Sequence, residues 1–209
     1  MITLIDTGAG NLASLEGALD RLGLDHVRAE RPGEGAATGP LILPGVGHFE
    51  AAQQTLRAHG WWRELPHMVA DGRPLLGICL GLQLLAEGSE EAPRASGLGL
   101  LPGLVRRLGP GVKVPHVGWS RVHQHVAHPA LPDPQGGWLY FVHSYALEPG
   151  PETVYTASHG RSFSAVEARG RVLGFQAHPE KSGAFGLGLL QAALAWMGAA
   201  AAVPESPCN

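Results

Sequence analysis

The chain has 209 residues, of which 44% are hydrophobic and 16% charged, with a formal net charge of −3. This length suits one domain with a sizeable core, and the charge excludes the strongly basic surface of a nucleic-acid-binding or polybasic membrane protein. Because the sequence lacks a membrane-length apolar run and a basic N-terminal region, and its two cysteines cannot make a disulfide framework, we expect a cytoplasmic protein.

The first half of the chain alternates short apolar runs with helical periodicities. The runs predict buried strands, and the leucine spacing between them predicts amphipathic helices, the first with Asn11 as its N-cap. Strands are predicted at 2–5, 26–29, 41–43 and 74–78, and helices at 12–22, 49–58, 61–71 and 80–87. Strands that are apolar on both faces and alternate with helices predict a parallel sheet covered on both sides.

From residue 98 onward, short strand patterns separated by glycine and proline turns replace this alternation. Strands are predicted at 104–108, 121–125, 138–142, 154–157, 163–168 and 172–175, followed by a helix at 185–197. These strands favour antiparallel additions to the open sheet. The expected fold class is therefore α/β, a mixed but mostly parallel central sheet flanked by helices, in one domain over 1–198 with a disordered tail at 199–209.

The strongest local signal is Gly77-Ile78-Cys79-Leu80-Gly81, between an apolar strand and a predicted helix. This is the context of a nucleophile elbow, with cysteine where hydrolases have serine. The glycines leave room around a strained central residue, and a helix N-terminus favours a thiolate. The Leu80 amide would point at a developing oxyanion. A buried structural cysteine is the alternative, and the two flanking glycines favour catalysis.

A thiolate nucleophile needs a base, and His178 stands out among the eleven histidines because it follows an apolar strand in the segment 174–180. Pro179 would hold the chain extended, so that His178 and Glu180 project on one side. The carboxylate would then orient the imidazole and stabilise its charged form. A surface histidine beside an incidental acid is the alternative; the pairing with the cysteine elbow favours the catalytic interpretation.

The turn Pro44-Gly45-Val46-Gly47, followed by His48, ends the third strand. Its glycines allow unusual backbone angles, so the turn could aim an N–H from Val46 or Gly47 at the reacting carbonyl, beside the Leu80 amide. An ordinary glycine-rich turn is the alternative. A phosphate-binding loop fits less well, because no Lys-Ser/Thr pair follows.

Two further clusters carry weaker signals. His123, His125 and His128 invite a metal-site interpretation, but no cysteine or carboxylate shares the cluster, and an exposed strand explains it as well. The segments 115–119 and 141–145 each place a polar group after an apolar strand, and the second could line a pocket. Cys208, in the predicted tail, is expected to be inert.

Together these motifs resemble the class I glutamine amidotransferases, whose Gly-x-Cys-x-Gly elbow, Pro-Gly-x-Gly-type oxyanion loop and distant His-x-Glu occur here in the usual order, across essentially residues 2–197. Within that class the motifs are most similar to the glutaminase subunits of imidazole glycerol phosphate synthase. The markers of that similarity lie at 8–12, 43–49, 77–85, 115–119, 140–145 and 174–182. Thr7 departs from the family, which more often has an aromatic or other larger residue there.

The resemblance implies a triad in which Cys79 is the nucleophile, His178 the general base and acid, and Glu180 its orienting carboxylate. The residues that it implies beside the substrate are Gly47, Gln83, His143, Ser144 and Tyr145. The implied chemistry, hydrolysis of glutamine through a cysteine thioester, requires neither a metal nor an organic cofactor.

The resemblance also implies a partner. In the family, ammonia passes to a separate (β/α)₈ cyclase subunit in a heterodimer, which makes imidazole glycerol phosphate and an aminoimidazole carboxamide ribotide in histidine biosynthesis. The chain is too short for a barrel of about 250 residues, so the cyclase would be a second chain. Asn11 and Lys181 are candidate docking residues, because both follow strand ends on the side of the sheet where Cys79 must lie; an exposed lysine is also ordinary solvated surface.

Three alternatives stay open at this point: a glutaminase subunit of a different amidotransferase, a stand-alone cysteine hydrolase, and a non-enzymatic interaction subunit. Glutaminase assays with and without a cyclase subunit would separate them.

Overall fold

The computed structural model describes residues 1–8 and 12–199. The predicted N-cap Asn11, and the predicted tail from residue 200 onward with Cys208, lie outside the described residues. In chain order the strands are β1 (Ile2–Ile5), β2 (His26–Ala29), β3 (Leu41–Leu43), β4 (Leu75–Ile78), β5 (Gly88–Ser89), β6 (Leu104–Arg107), β7 (His116–Arg121), β8 (His123–Gln124), β9 (Trp138–His143), β10 (Tyr145–Leu147), β11 (Thr153–His159), β12 (Arg161–Arg169) and β13 (Val172–Phe175). The helices are α1 (Leu12–Arg21), α2 (Phe49–Ala58), α3 (Trp61–Ala70), α4 (Leu80–Leu85) and α5 (Gly183–Trp196), and a short 3₁₀ helix spans Pro179–Lys181.

A central sheet organises the described part of the chain, with eight strands in the order β2-β1-β3-β4-β13-β12-β11-β8. Strands β2, β1, β3, β4 and β13 are parallel to one another. Strands β12, β11 and β8 continue the sheet in antiparallel fashion. The predicted α/β class, with a mostly parallel central sheet and added antiparallel strands, is confirmed.

The attachment of the second-half strands is only partly as predicted. Strands β10, β6 and β5 form a separate three-stranded sheet, and β7 pairs with β9 in a two-stranded ribbon. The prediction that the later strands extend the open sheet was wrong for β6 and β9, and β5 and β10 were not predicted. Strand β7 was also missed, because its outward-facing positions carry Val117 and Trp119, which hides the usual alternation of buried apolar and exposed polar residues.

Apolar side chains cover both faces of the sheet. Because successive strand residues point to opposite faces, Leu4 and Ile5 of β1 fall into two different buried clusters. Helices α1 and α5 contribute to the first cluster, and α2, α3 and α4 to the second. This packing leaves the edge at the carboxyl ends of the parallel strands as the place where loops converge, which is where open α/β sheets bind ligands.

None of the helices among the described residues combines the length and the apolar character that crossing a bilayer requires.

Candidate active site

Cys79 occupies a strained turn between β4 and α4. Its backbone angles are φ 55° and ψ −110°, which a residue other than glycine rarely adopts. Its amide donates to the Phe175 carbonyl of β13 at 2.7 Å, and 5% of the residue is exposed. The cysteine is therefore held at the carboxyl edge of the sheet in a conformation that costs free energy and needs support from its surroundings.

The flanking glycines supply that support through close packing. A Cβ added to Gly77 would lie 2.7 Å from the Leu82 amide nitrogen, and one added to Gly81 would overlap the Leu43 carbonyl. Helix α4 can begin directly after the strand only because these two positions carry no side chain. The prediction that glycine leaves room for a strained central residue has this steric basis.

His178 and Glu180 meet at the end of β13. The His178 amide donates to the Tyr140 carbonyl at 2.9 Å, and its ring Nδ1 donates to Glu180 Oε1 at 2.9 Å. The expectation that Pro179 keeps this segment extended was wrong, because Pro179–Lys181 forms a 3₁₀ helix. This tight turn brings the carboxylate within hydrogen-bond distance of the ring Nδ1, and both side chains are almost completely buried.

Opposing effects set the charge of His178. Burial lowers its pKa, but hydrogen bonding and charge attraction from Cys79 and Glu180 outweigh that effect and raise the pKa from 6.5 to about 9. Since Glu180 occupies Nδ1, Nε2 is the ring nitrogen left for Cys79. The second carboxylate oxygen of Glu180, Oε2, is buried and has no hydrogen-bond partner among the described residues.

The Leu80 amide, the expected oxyanion donor, already has a partner. It donates to the Gly45 carbonyl at 3.4 Å, a long hydrogen bond. The turn that follows β3 thus presents a carbonyl, not an N–H, to the start of α4. An oxyanion beside Cys79 could use the Leu80 amide only after this turn changes conformation.

A cavity of about 260 Å³ opens over Cys79. The site residues predicted from the sequence that line it are Val46, Gly47, Cys79, Leu80, Gln83, His143, Ser144, Tyr145, His178 and Lys181. Val142 lines it as well and belongs to the segment 141–145, which was expected to be able to line a pocket. Glu91 and Pro115 also line it, and no pocket role was predicted for them. Glu180 lies behind His178, on a second cavity of about 20 Å³ that extends under the turn at Pro44–Val46.

Two glutamines link the pocket wall to the nucleophile. Gln83 Nε2 donates to the Tyr145 carbonyl at 2.8 Å and to Gln176 Oε1 at 3.0 Å. Gln176 Nε2 lies 3.9 Å from Cys79 Sγ. Sequence reasoning missed Gln176, whose only signal is a polar side chain between the apolar Phe175 and Ala177 at the end of a buried strand.

Glu91 is the other pocket residue that the sequence did not reveal. Its Oε2 accepts from the Phe49 amide at the start of α2, at 2.8 Å. The residue lies in the irregular segment between β5 and β6. No local motif marks it, because its place in the pocket depends on how two distant parts of the chain pack.

A chain of neutral histidines supports the side of the pocket that is lined by His143 and Tyr145. His143 Nδ1 donates to the Tyr145 carbonyl at 3.0 Å, and its Nε2 lies 3.2 Å from Nδ1 of His116. The Ser120 hydroxyl lies 3.0 Å from His116 Nε2. Burial lowers the pKa of His143 to about 3 and that of His116 to about 4, with further lowering from the His159 ring. Both rings are therefore uncharged at neutral pH, and His143 presents a neutral surface to the pocket.

The histidines that allowed a metal-site interpretation do not form one. His123 and His125 are exposed on and beside the edge strand β8. The His128 ring packs edge-on against Trp196, with centroids 5.2 Å apart, and its Nδ1 accepts from the Ala130 amide. Across residues 1–8 and 12–199 no group of histidine, cysteine and carboxylate side chains could hold a metal ion.

The ribbon of β7 and β9 carries an exposed apolar face beside the pocket. Val117 pairs with Val142, Trp119 with Tyr140, and Arg121 with Trp138. Val117 and Trp119 are 59% and 50% exposed, and Val142 and Trp138 are exposed as well. Because Val142 also lines the cavity, this apolar face reaches the rim of the pocket.

Known proteins resemble this chain along most of its length. The family profile of class-I glutamine amidotransferases matches residues 3–191. The imidazole glycerol phosphate synthase subunit HisH of Geobacillus thermodenitrificans is 47% identical over 199 residues, covering 91% of this chain and 93% of the relative. The subunit of the same name from Halalkalibacterium halodurans is 44% identical over 201 residues, covering 91% of this chain and 94% of that one.

Solved structures share the fold at lower sequence identity. A glutamine amidotransferase crystal structure superposes with a TM-score of 0.72 and 22% identity, over 92% of this chain and 98% of that one. The structure of PurLQS from Thermotoga maritima superposes with a TM-score of 0.71 and 17% identity, over 93% of this chain and 97% of that chain. These likenesses concern the fold alone.

Proposed function

The chain belongs to the class I glutamine amidotransferases, and from this membership we propose that it is the glutaminase subunit of an imidazole glycerol phosphate synthase, acting in histidine biosynthesis. The observation that carries the proposal is the Cys79–His178–Glu180 arrangement under a cavity of about 260 Å³. The 43–47% identity to subunits of that name supports this assignment over another amidotransferase.

The reaction uses the Cys79 thiolate and the His178 imidazolium. The sulfur attacks the side-chain amide carbon of glutamine, and the resulting tetrahedral intermediate collapses as the C–N bond breaks and His178 Nε2 gives its proton to the leaving ammonia. Water then attacks the thioester and passes a proton to His178, and the C–S bond breaks to release glutamate and the thiolate. Glu180 holds the ring through Nδ1, so that Nε2 faces the reacting atoms.

The pocket suits the charged end of an amino acid. Both N–H groups of the Gln83 amide are engaged, by Tyr145 and by Gln176, so its Oε1 is the atom available to a substrate donor. Glu91 adds a carboxylate to the same wall. We assign the α-ammonium group of glutamine to these two residues, while Gly47, His143, Ser144 and Tyr145 complete the binding site.

Activation requires the oxyanion turn to move. In the described conformation the Leu80 amide donates to the Gly45 carbonyl, so this N–H is not free to stabilise an oxyanion. A cavity of about 20 Å³ adjoins Pro44–Val46, so the turn is not fully packed on that side. We therefore expect a low rate of hydrolysis until a partner stabilises the other conformation of the turn.

The partner in this proposal is the cyclase subunit, a (β/α)₈ barrel that forms a heterodimer with this chain in the cytoplasm. The apolar face of the ribbon supports docking beside the pocket mouth, since Trp119 and Trp138 are the kind of large side chain enriched at interfaces. Lys181 is exposed and also lines the pocket, so it remains a candidate docking residue. The docking role of Asn11 stays a prediction, as do the lack of a nucleic-acid partner and of any cofactor.

The test is glutamate release from glutamine by the isolated subunit and by its complex with a cyclase subunit. We expect strong stimulation in the complex and loss of release in Cys79→Ala, which removes the sulfur without opening a large cavity. The Cys79→Ala complex should still make product from added ammonium salt. Full activity without the cyclase would favour a stand-alone hydrolase, and wild-type glutamate release by Cys79→Ala would exclude Cys79 as the nucleophile.

A further inference from the structure

Gln176 is a buried polar side chain that the mechanism above does not use. The residue is 0% exposed, so no substrate atom reaches it. Its amide Oε1 accepts from Gln83 Nε2 at 3.0 Å, and its Nε2 lies 3.9 Å from Cys79 Sγ. It therefore joins a pocket residue to the nucleophile from behind the pocket wall.

The direction of these hydrogen bonds follows from one backbone carbonyl. The Tyr145 carbonyl can only accept, so the Gln83 atom 2.8 Å from it must be the NH₂ nitrogen. That same nitrogen lies 3.0 Å from Gln176, whose facing atom must then be its oxygen. The Gln176 NH₂ is consequently the group that faces the Cys79 sulfur.

Two neighbours of the sulfur favour opposite protonation states. The Val142 carbonyl lies 3.7 Å from Sγ and can accept only from a protonated thiol. The Gln176 N–H can donate to the sulfur, and a donor stabilises a thiolate more than a neutral thiol. The balance between these two contacts bears directly on how much of the nucleophile is ready to attack.

We propose that Gln176 is a positioning residue of this site: its side-chain N–H holds the Cys79 sulfur in the thiolate form, and its carbonyl oxygen holds Gln83 with Oε1 toward the substrate. The role in turnover rests on the proposed glutaminase function, whereas the effect on the sulfur does not. The titratable groups around Cys79 from the packed elements are His178, Glu180, His143, Glu91, Tyr145 and Lys181.

The test measures alkylation of Cys79 by iodoacetamide as a function of pH, followed by mass spectrometry of the peptide that contains Cys79, because Cys208 is a second thiol in the chain. In Gln176→Met, which keeps the chain length and removes the donor, we expect the pH midpoint of alkylation to rise by about one unit. Gln176→Asn keeps a buried amide but cannot span the distance, and should shift the midpoint in the same direction.

Gln53→Met is the matched control. Gln53 is also buried, at 7% exposure, and its Nε2 donates to the Ser96 carbonyl at 2.6 Å, in a pairing that does not include Cys79. This variant should alkylate with the wild-type midpoint. An unchanged midpoint in Gln176→Met and Gln176→Asn, both folded by thermal melting, would overturn the proposal, and so would an equal shift in Gln53→Met.

A kinetic measurement separates this proposal from the proposed function. In the complex with the cyclase, Gln176→Met should lower kcat for glutamate release and raise KM, because the sulfur and Gln83 both lose a partner. Alkylation needs neither glutamine nor the cyclase. A wild-type complex that releases no glutamate, together with shifted alkylation in the variants, would overturn the glutaminase function and leave the positioning of Cys79 supported.

Discussion

Two glycine-rich turns stand at the same edge of the sheet, one after β4 and one after β3, and they are held in opposite ways. The elbow at Cys79 is buried, and its flanking glycines have no room for a side chain. The turn after β3 is packed against Leu80 at Gly45 but open beyond it: Val46 is 41% exposed, and a Cβ on Gly47 would meet nothing within 4 Å. Close packing therefore fixes the position of Cys79, whereas the turn after β3 is held by the long hydrogen bond between the Leu80 amide and the Gly45 carbonyl.

This difference assigns separate tasks to the two turns. A nucleophile must stay within a narrow range of its reacting geometry, so its strained backbone benefits from neighbours that prevent relaxation. An oxyanion donor that is available in only one of two conformations allows a partner to regulate the rate of hydrolysis. The partner must bind the productive conformation more tightly than the other one. Variants in the elbow should thus impair the free and complexed subunit alike, and variants in the open turn should impair mainly the complex.

The largest effect is expected at the base. His178→Asn removes the group that exchanges protons with ammonia and water, and should lower glutamate release by roughly 10²–10⁴-fold with and without the cyclase. His128→Asn, which removes a ring that packs on Trp196, should leave the rate within a few-fold of wild type.

The same assay tests the metal interpretation of the other histidines. His123→Asn and His125→Asn should behave like His128→Asn, and a chelator should leave the wild-type rate unchanged. Equal losses in the variants at positions 123, 125, 128 and 178 would contradict the assignment of His178.

The next effect concerns the stability of the elbow. Gly81→Ala adds a methyl group that overlaps the Leu43 carbonyl, so we expect unfolding free energy to fall by about 3 kcal/mol or more. Gly17→Ala is the matched change in another helix, where the new Cβ would lie 3.8 Å from an Arg21 side-chain nitrogen. That variant should be neutral or more stable by up to about 1 kcal/mol, because alanine favours the helix. Denaturant titration of both variants measures the difference, and equal stability would contradict the packing argument.

Sequence reasoning succeeded where a motif and its contacts are local. The elbow could be predicted because Gly77, Cys79 and Gly81 lie within five residues and their spacing reflects a single strand-to-helix turn. The contact between His178 and Glu180 was predicted correctly, but from an extended backbone. In the structure a 3₁₀ helix at Pro179–Lys181 brings the two side chains together.

Sequence reasoning failed where the partner is distant in the chain. Gln176 contacts Gln83 across 93 positions, and Glu91 reaches the pocket through its bond to Phe49. A buried glutamine between apolar residues has no periodicity that distinguishes a positioning role from simple packing. The bond between the Leu80 amide and Gly45 was also unpredictable, because the glycines that permit the productive turn permit the blocked one equally.

The open turn should respond differently from the elbow. Gly47 has φ +100°, so Gly47→Val strains the backbone without a steric clash and restricts the peptide that must reorient. We expect cyclase-stimulated glutamate release to fall by roughly 10–100-fold, within the range of a lost oxyanion donor. The affinity for the cyclase, measured by calorimetry, and the unstimulated rate should change much less.

Gly72→Val controls for strain alone in this comparison. Gly72 has φ +88° and equally open surroundings, but it lies between α3 and β4, away from the pocket. This variant should keep the stimulated rate. An equal loss of stimulation in both variants would remove the open turn from the activation step.

The smallest effect is the pH dependence, which should come from His178 beside Cys79 of the elbow, since the turn from Pro44 to Gly47 carries no titratable side chain. The pKa of His178 is raised from 6.5 to about 9, so the imidazolium that protonates ammonia persists through neutral pH and is lost above about pH 9. Stimulated glutamate release should therefore decline above that pH, with the same midpoint in wild type and Gly47→Val. A shifted midpoint in Gly47→Val would mean that the open turn takes part in the proton transfer.

The free energy of unfolding should also depend on pH through the buried histidines, in the direction that the pKa shift of each one sets. Because the folded pKa of His178 lies above 6.5, its contribution is complete below pH 6.5 and disappears as the pH rises through about 9. His116 and His143, with pKa values lowered to about 4 and about 3, contribute fully above pH 6.5 and lose that contribution as the pH falls toward those values.

The contribution of the sulfur to the charge of His178 can be tested in Cys79→Ala. In that variant only Glu180 still opposes the lowering of the His178 pKa by burial. The pKa of His178, followed by NMR titration, should therefore fall below its wild-type value. An unchanged His178 titration in Cys79→Ala would show that the sulfur does not stabilise the imidazolium, and the elbow would then supply geometry without the charge that the reaction needs.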